Sequence, residues 1–320
     1  MKNIYKINLQ LFADMNTQTT GTGTLSDEMK VYYSDYLIDN AVPKLVHDQF
    51  GQKHPIPKNG GKTIEFRKYS PLPKLLTPLT EGVTPDGQSL TVSTIEATIA
   101  QYGGYITLAD VLLLTAIDNN MVQATKLLGN QAGATLDTIT REVLNGGTNV
   151  VYAGGVASRD ALSADSKLTV DDIKKAVRAL KNQNADKIGD SFVAIIHPDV
   201  TYDLTNDPQW QAVKDYDPKD WYEGEIGKIA GVRFVETTEA KIFEGGVYST
   251  LVLGENAYGV TEVEGGGLEH IVKQLGSAGT GDPLNQRATV GWKAIKVAER
   301  LVEQFMVRIE SKSTFAGTAN

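Results

Sequence analysis

Cysteine is absent from all 320 residues, which removes disulfide frameworks, thiolate metal sites, iron–sulfur clusters and cysteine nucleophiles together. Histidine is scarce. The four that occur, His47, His54, His197 and His270, show neither H-x-x-x-H nor H-E-x-x-H spacing, so no helix face offers two imidazoles to one metal. Long apolar runs are missing too: the longest, Val111 to Ile117, is interrupted by Thr115 and bounded by Asp110 and Asp118, far short of the ~20 residues of a membrane-spanning helix. Positive charge is in deficit, 31 Lys and Arg against 39 Asp and Glu for a net charge of −8, which disfavours a chain built to neutralise phosphates. No G-x-S-x-G elbow occurs. The expectation is no catalytic site, no cofactor, no metal and no membrane.

What is present is an ordinary globular composition, 41% hydrophobic and 22% charged, in a length that admits one large domain or two smaller ones. The N-terminus begins with a basic stretch, but Asn8 and Gln10 break the apolar segment a secretory leader needs, so residues 1–24 read as an uncleaved arm. Met29, Tyr33, Tyr36 and Leu37, after Ser26 as N-cap, predict a helix as far as Pro43. Lys62 to Tyr69 alternates Ile64 and Phe66 with Glu65 and Arg67, a strand signature, and a second extended run goes from Leu90 through Val92 toward Ile99. Pro71, Pro73, Pro78 and Pro85 lie between them, which predicts an antiparallel ribbon with a long, proline-stiffened tip. A two-stranded ribbon is marginal alone in water, and structureless loops beyond ~12–15 residues are uncommon unless functional. The ribbon therefore lies on something, another subunit being the obvious candidate.

Thr107-Leu108-Ala109-Asp110 has capping-box spacing and predicts a short helix ending near Asp118 or Asn119. Met121, Ala124, Leu128, Ala132, Leu136, Ile139 and Val143 then recur at helical steps, predicting one long helix over 119–145 closed by Asn145-Gly146-Gly147. Gly129 and Gly133 share one face of it and point to a close crossing by another element. Thr169 caps a helix carrying Ile173, Ala176, Val177 and Leu180, and the continuous apolar run Phe192 to Ile196 reads as a strand buried on both faces, followed by a helical turn through Val200 and Leu204. Further strands are expected at Val232–Val235, Tyr248–Leu253 and Leu268–Val272, with a final pair at Thr289–Ala298 and Phe305–Ile309.

Candidate chemistry is thin. Gly60-Gly61-Lys62-Thr63 resembles the end of a phosphate-binding loop, but prolines 55 and 57 precede it and a ribbon follows where a helix is required. Asp199, Asp203 and Asp207 recur every four residues and read as a solvated acidic surface, with a hard-cation site as the weaker alternative. Gly265-Gly266-Gly267 reads as a hinge or tight turn.

The order of elements, with mobile arm, short helix, projecting ribbon, long spine helix, compact α/β region and closing strands, resembles a tailed-bacteriophage major capsid protein of the Hong Kong ninety-seven type. Gly61-Lys62-Thr63-Ile64-Glu65-Phe66, Ile106-Thr107-Leu108-Ala109-Asp110, Asp282-Pro283-Leu284-Asn285-Gln286-Arg287 and Gly291-Trp292-Lys293 are similar to stretches of the N-four-like major capsid family. The resemblance implies an α+β fold with an N-terminal arm (1–24), an N-terminal helix region (25–55), an extended β-hairpin loop (56–106), a peripheral domain around the spine helix (107–164), an axial domain (165–265) and closing strands with a C-terminal tail (266–320). It implies pentamers and hexamers in an icosahedral shell around packaged DNA without sequence-specific contacts, with portal and scaffold proteins as partners, in a virion assembled in the host cytoplasm. Inter-subunit contacts are expected from Ile64, Phe66, Leu72, Leu75, Leu79, Leu90 and Val92. No asparagine partner matches Lys68 or Lys74 for a covalent cross-link. Two other readings stand beside it: an α/β enzyme with a site near His197, Asp199 and Asp203, and a cellular nanocompartment shell of the same fold.

Overall fold

The computed structural model describes residues 17–18, 46–55, 61–70, 72–79, 81–82, 84, 86–115, 120–214, 227–262, 267–277 and 279–320. The helix expected from Ser26 to Pro43 lies outside them, as do most of the arm and of the Gly265–Gly267 triplet. In chain order the elements are β1 (Thr17–Gln18), β2 (Gln52–Lys53), β3 (Thr63–Tyr69), β4 (Val92–Thr98), β5 (Ala100–Ala109), α1 (Asp110–Thr115), α2 (Asn120–Asn145), β6 (Val150–Tyr152), α3 (Val170–Asn182), β7 (Phe192–Ile196), α4 (Pro198–Thr205), α5 (Pro208–Lys214), β8 (Lys228–Ile229), β9 (Val232–Glu236), β10 (Ile242–Phe243), β11 (Val247–Leu253), β12 (Tyr258–Glu262), β13 (Glu269–Lys273), β14 (Arg287–Arg300) and β15 (Met306–Ser311). They fall into two compact units whose boundaries pass through α2 and β14.

The smaller unit holds Thr17–Gln18, Tyr102–Gly133 and Leu268–Ala294. In it β1 lies parallel to β5, and β13 runs antiparallel to the first half of β14 with His270 opposite Trp292. Glycine permits the close backbone approach of β5 and β14, because a Cβ on Gly103 would sit 2.7 Å from the Trp292 carbonyl oxygen and one on Gly291 2.9 Å from that of Gly104. Thr107 is therefore inside a strand. The capping box expected there does not form, and α1 begins at Asp110, whose own carboxylate accepts from Val111 N at 2.7 Å. Gly129 and Gly133 are both buried.

The larger unit is built on a mixed sheet ordered β6-β15-β11-β7-β9-β8, with β10 also on β11. β7 is buried at every residue because it is central and covered on both faces. Phe192, Ala194, Ile196, Val252, Val307 and Ile309 meet Ile173, Ala176, Val177 and Leu180 of α3 and Val200 and Leu204 of α4. Alternate residues Ile195, Leu251, Leu253 and Met306 join a second core with Leu144, Ala257, Tyr258 and Val260. Thr169 caps α3, its hydroxyl accepting from Asp172 N. The last two expected strands both form, as β14 and β15, and they go to different sheets: β15 sits in this sheet beside β11 and β6, while the second half of β14 pairs with β12. Pro208 opens α5, where Asp207 accepts from Gln209 N at 2.8 Å.

Charged side chains bind the larger unit together from inside. Asp137 on α2 is fully buried, accepts from His47 N at 2.8 Å and has His47 Nδ1 2.6 Å away. Lys296 on β14 meets Asp48 and donates to Leu136 O at 2.9 Å, and Tyr258 donates its hydroxyl to His47 O. The end of α2 is held by Arg308, which donates to the Asn145 carbonyl and to Gly147 O at 2.9 Å, placing a cation at the negative helix terminus. Arg308 and Arg159 both grip the fully buried Glu310, Arg159 through two bonds of 2.7 Å, with its guanidinium 3.7 Å over the Phe243 ring. Removing one partner of a buried charge network leaves groups unsatisfied, so Arg308→Leu is expected to cost about 3 kcal/mol. The urea midpoint of the dispersed protein measures it, and a change under about 0.5 kcal/mol, the size of ordinary surface effects, contradicts the clamp.

Candidate assembly surface

The ribbon is read from its register. β3 and β4 pair antiparallel from Thr63↔Thr98 at the base to Tyr69↔Val92 at the far end, and side chains alternate between faces. One face carries Ile64, Phe66 and Lys68 opposite Ala97, Ile95 and Ser93. Its base rests on its own unit: Phe66 packs edge-to-face on His54 at 5.3 Å, and a Cβ on Gly259 would come within 3.4 Å of the Phe66 ring. The other face places Glu65 directly opposite Glu96, a destabilising like-charge pair. The Arg67–Glu65 contact of 3.7 Å, with Arg67 two-thirds exposed, offsets little of that.

Beyond Tyr69 the pairing continues through Ser70 N, which donates to Thr91 O at 3.0 Å, while the large apolar side chains that follow stand in solvent. Leu72, Leu75, Leu76, Leu79 and Leu90 are 51%, 77%, 85%, 76% and 68% exposed, with Tyr69 and Val92 also exposed beside them. The seven residues expected to contact other subunits thus divide. Ile64 and Phe66 are half-buried at the base, while Leu72, Leu75, Leu79, Leu90 and Val92 stand in solvent. Leu76, the most exposed of the run, was not singled out from the sequence, although a Leu-Leu pair between Pro73 and Pro78 is signal enough. Also missed were β2 and the turn after β14. There His54, Leu301 and Val302 join Ile64, Phe66 and Ile95 around a groove of about 520 Å³ inside the larger unit.

The acidic triplet is a correction. Asp203 is only 8% exposed and is no solvated surface group. It accepts from Ser313 Oγ at 2.7 Å, from Thr314 N at 2.8 Å and from the Thr314 hydroxyl, fastening the C-terminal tail. Asp199 receives the Tyr248 hydroxyl at 2.6 Å, and Asp207 caps α3 through Val170 N at 2.9 Å. His197 Nδ1 accepts from Asp199 N at 3.2 Å as the N-cap of α4, and burial pulls its imidazole below the ordinary value against the raising influence of Asp199 and Glu236. These groups hold the N-terminus of α4, the β11 tyrosine and the C-terminal tail in place. Among the described residues no three metal-ligating side chains come together, and no helix is long and apolar enough to cross a membrane.

A family model described as phage capsid protein matches residues 92–303. The chain belongs to the phage capsid protein family. It is a structural protein of a virion, of a family that is not enzymatic. The capsid subunit is similar to that of cyanophage P-SCSP1u, with a TM-score of 0.66 at 15% identity over 84% of this chain and 89% of that one. It is similar to that of cyanophage Pam1 (TM-score 0.65, 14% identity, 98% and 100% covered) and, less closely, to a virus-like particle from Pyrococcus furiosus (0.53, 11%, 88% and 100%). At these identities the likeness is one of fold, the Hong Kong ninety-seven type, and it does not single out the N-four-like subfamily. Among curated proteins no sequence matches the chain.

The tail attachment carries a pH dependence. Burial alone would raise the Asp203 carboxyl, but the bonds from Thr314 and Ser313, with Lys167 3.6 Å away, outweigh it and hold Asp203 below its ordinary value. A carboxyl lowered in the folded state contributes stability that is complete above its unfolded value of ~3.9 and is lost as acidification passes through the lower folded value. Residues 312–320 are therefore expected to lose protection from hydrogen exchange below about pH 4, and Asp203→Asn to lose it at neutral pH. Full protection in the variant contradicts the assignment.

Proposed function

We propose that the capsid subunit forms pentamers and hexamers of an icosahedral head shell that encloses double-stranded DNA, with the ribbon as the element that joins copies. The observation that carries this reading is the row of exposed leucines at the far end of the ribbon. Covering a leucine is worth ~1.5–3 kcal/mol, so five supply roughly 8–15 kcal/mol, comparable with the cost of association. A monomer gains nothing from keeping that row in water. In this reading residues 1–24 are an arm, 25–55 an N-terminal helix region, 56–106 the extended loop, 107–164 the peripheral domain, 165–265 the axial domain and 266–320 the closing strands of both domains with the C-terminal tail. Packaged DNA makes no sequence-specific contacts, in keeping with the net charge of −8, and portal and scaffold proteins meet the shell during assembly in the host cytoplasm.

Electron microscopy of the expressed chain tests the proposal. The unsubstituted protein is expected to form closed particles or capsomers. Leu75→Ser combined with Leu76→Ser and Leu79→Ser is expected to abolish them while leaving the far-ultraviolet circular dichroism unchanged. An unsubstituted chain that stays monomeric at high concentration contradicts it.

A further inference from the structure

Among the described residues the groove at the base of the ribbon has no occupant. Its floor is apolar, from Ile64, Phe66, Ile95 and Leu301, and its rim carries His54, Lys68 and Arg67, the last 3.7 Å from Glu65, which lines the groove as well, so that two cations face one acid. Lys68 makes no ion pair among the described residues. On either side lies a strand edge without a partner among those residues, since β3 pairs only with β4, and β2, beside β12, ends its sheet. None of the lining residues comes from 70–91, and the register sends that segment away from the base. The same chain ends its ribbon in exposed leucines followed by two acids, Glu81 and Asp86.

We propose that this groove is the acceptor site for the ribbon tip of a second copy, the leucines of 72–79 entering the apolar floor and Glu81 lying against the cationic rim. The proposal rests on the shell reading above and names the surface that reading leaves open. Apolar side chains, complementary charge and free backbone edges are the three requirements for capturing an extended segment in a β-lined slot. Tip and groove are different patches of one chain, so the contact is heterologous, and heterologous contacts that close generate rings, as pentamers and hexamers require. It also gives Ile64 and Phe66 a part in assembly beside the exposed leucines.

The absence of cysteine allows a direct test. Copies carrying Val302→Cys are co-assembled with copies carrying Leu75→Cys, Leu76→Cys or Leu79→Cys, oxidised as particles and run on non-reducing gels. Disulfides require Cα atoms within ~7 Å. Disulfide-linked dimers are expected from at least one pairing, and chains bearing both cysteines of that pairing should give a ladder reaching five and six copies. Particles without dimers from any pairing overturn this site and leave the shell reading standing, whereas an unsubstituted chain that forms no particles removes both. Charge provides a second arm. Arg67→Glu with Lys68→Glu should lower particle yield roughly tenfold, and adding Glu81→Lys should restore it. An unchanged yield, or no restoration, counts against the assigned rim.

Discussion

Two antiparallel strands have no second layer against which to bury a side chain, and most of what distinguishes this molecule depends on that shortage. At its base the ribbon borrows cover from its own unit through His54 and Gly259. Seven residues later that cover has run out, yet the chain continues with leucines. A sequence under selection only for the fold of one copy would place polar residues there. The apolar tip, the like-charged Glu65 and Glu96 and the free strand edges make sense together if the stable object contains several copies.

Such an extension is useful only if it is presented by a firm body. The larger unit supplies one with two cores on the faces of a single sheet and charged groups neutralised inside it. Arg308 and Arg159 around Glu310 fix the end of the spine helix to β15, and Asp137 with His47 fixes the segment that leads to β2. Buried ionic groups of this kind do little for net stability but discriminate strongly against misplacement, because any shift strands a charge. Asp203 does the same for the C-terminal tail. The body is finished within one chain; the ribbon is not.

Much of this was legible in the sequence. The spine helix was visible because its apolar stripe of seven residues repeats from Met121 to Val143, about six turns, and β7 because five consecutive apolar residues fit no half-exposed strand. The ribbon followed from alternation flanked by prolines. What escaped were features whose cause is tertiary. Thr107 mimics a cap, but glycines 103 and 104 let β5 press against β14 and extend through it. Asp137, Arg141 and Asp203 look like surface charges until their partners arrive from 90 or more residues away. β12 carries Gly259 where Phe66 packs, so its strand character depends on a neighbour. The groove is formed by β2, the ribbon and the turn after β14, segments separated along the chain with no motif of their own.

The central claim is that one chain folds its body alone and completes its ribbon only in company. Hydrogen exchange compared between dispersed and assembled protein addresses it residue by residue. The account predicts that amides of β3 and β4 and of residues 72–92 exchange fast in dispersed copies and slow greatly on assembly, while β7, β11 and α2 are equally protected in both. A ribbon already as protected as β7 in the dispersed protein, with no further slowing in particles, would contradict it.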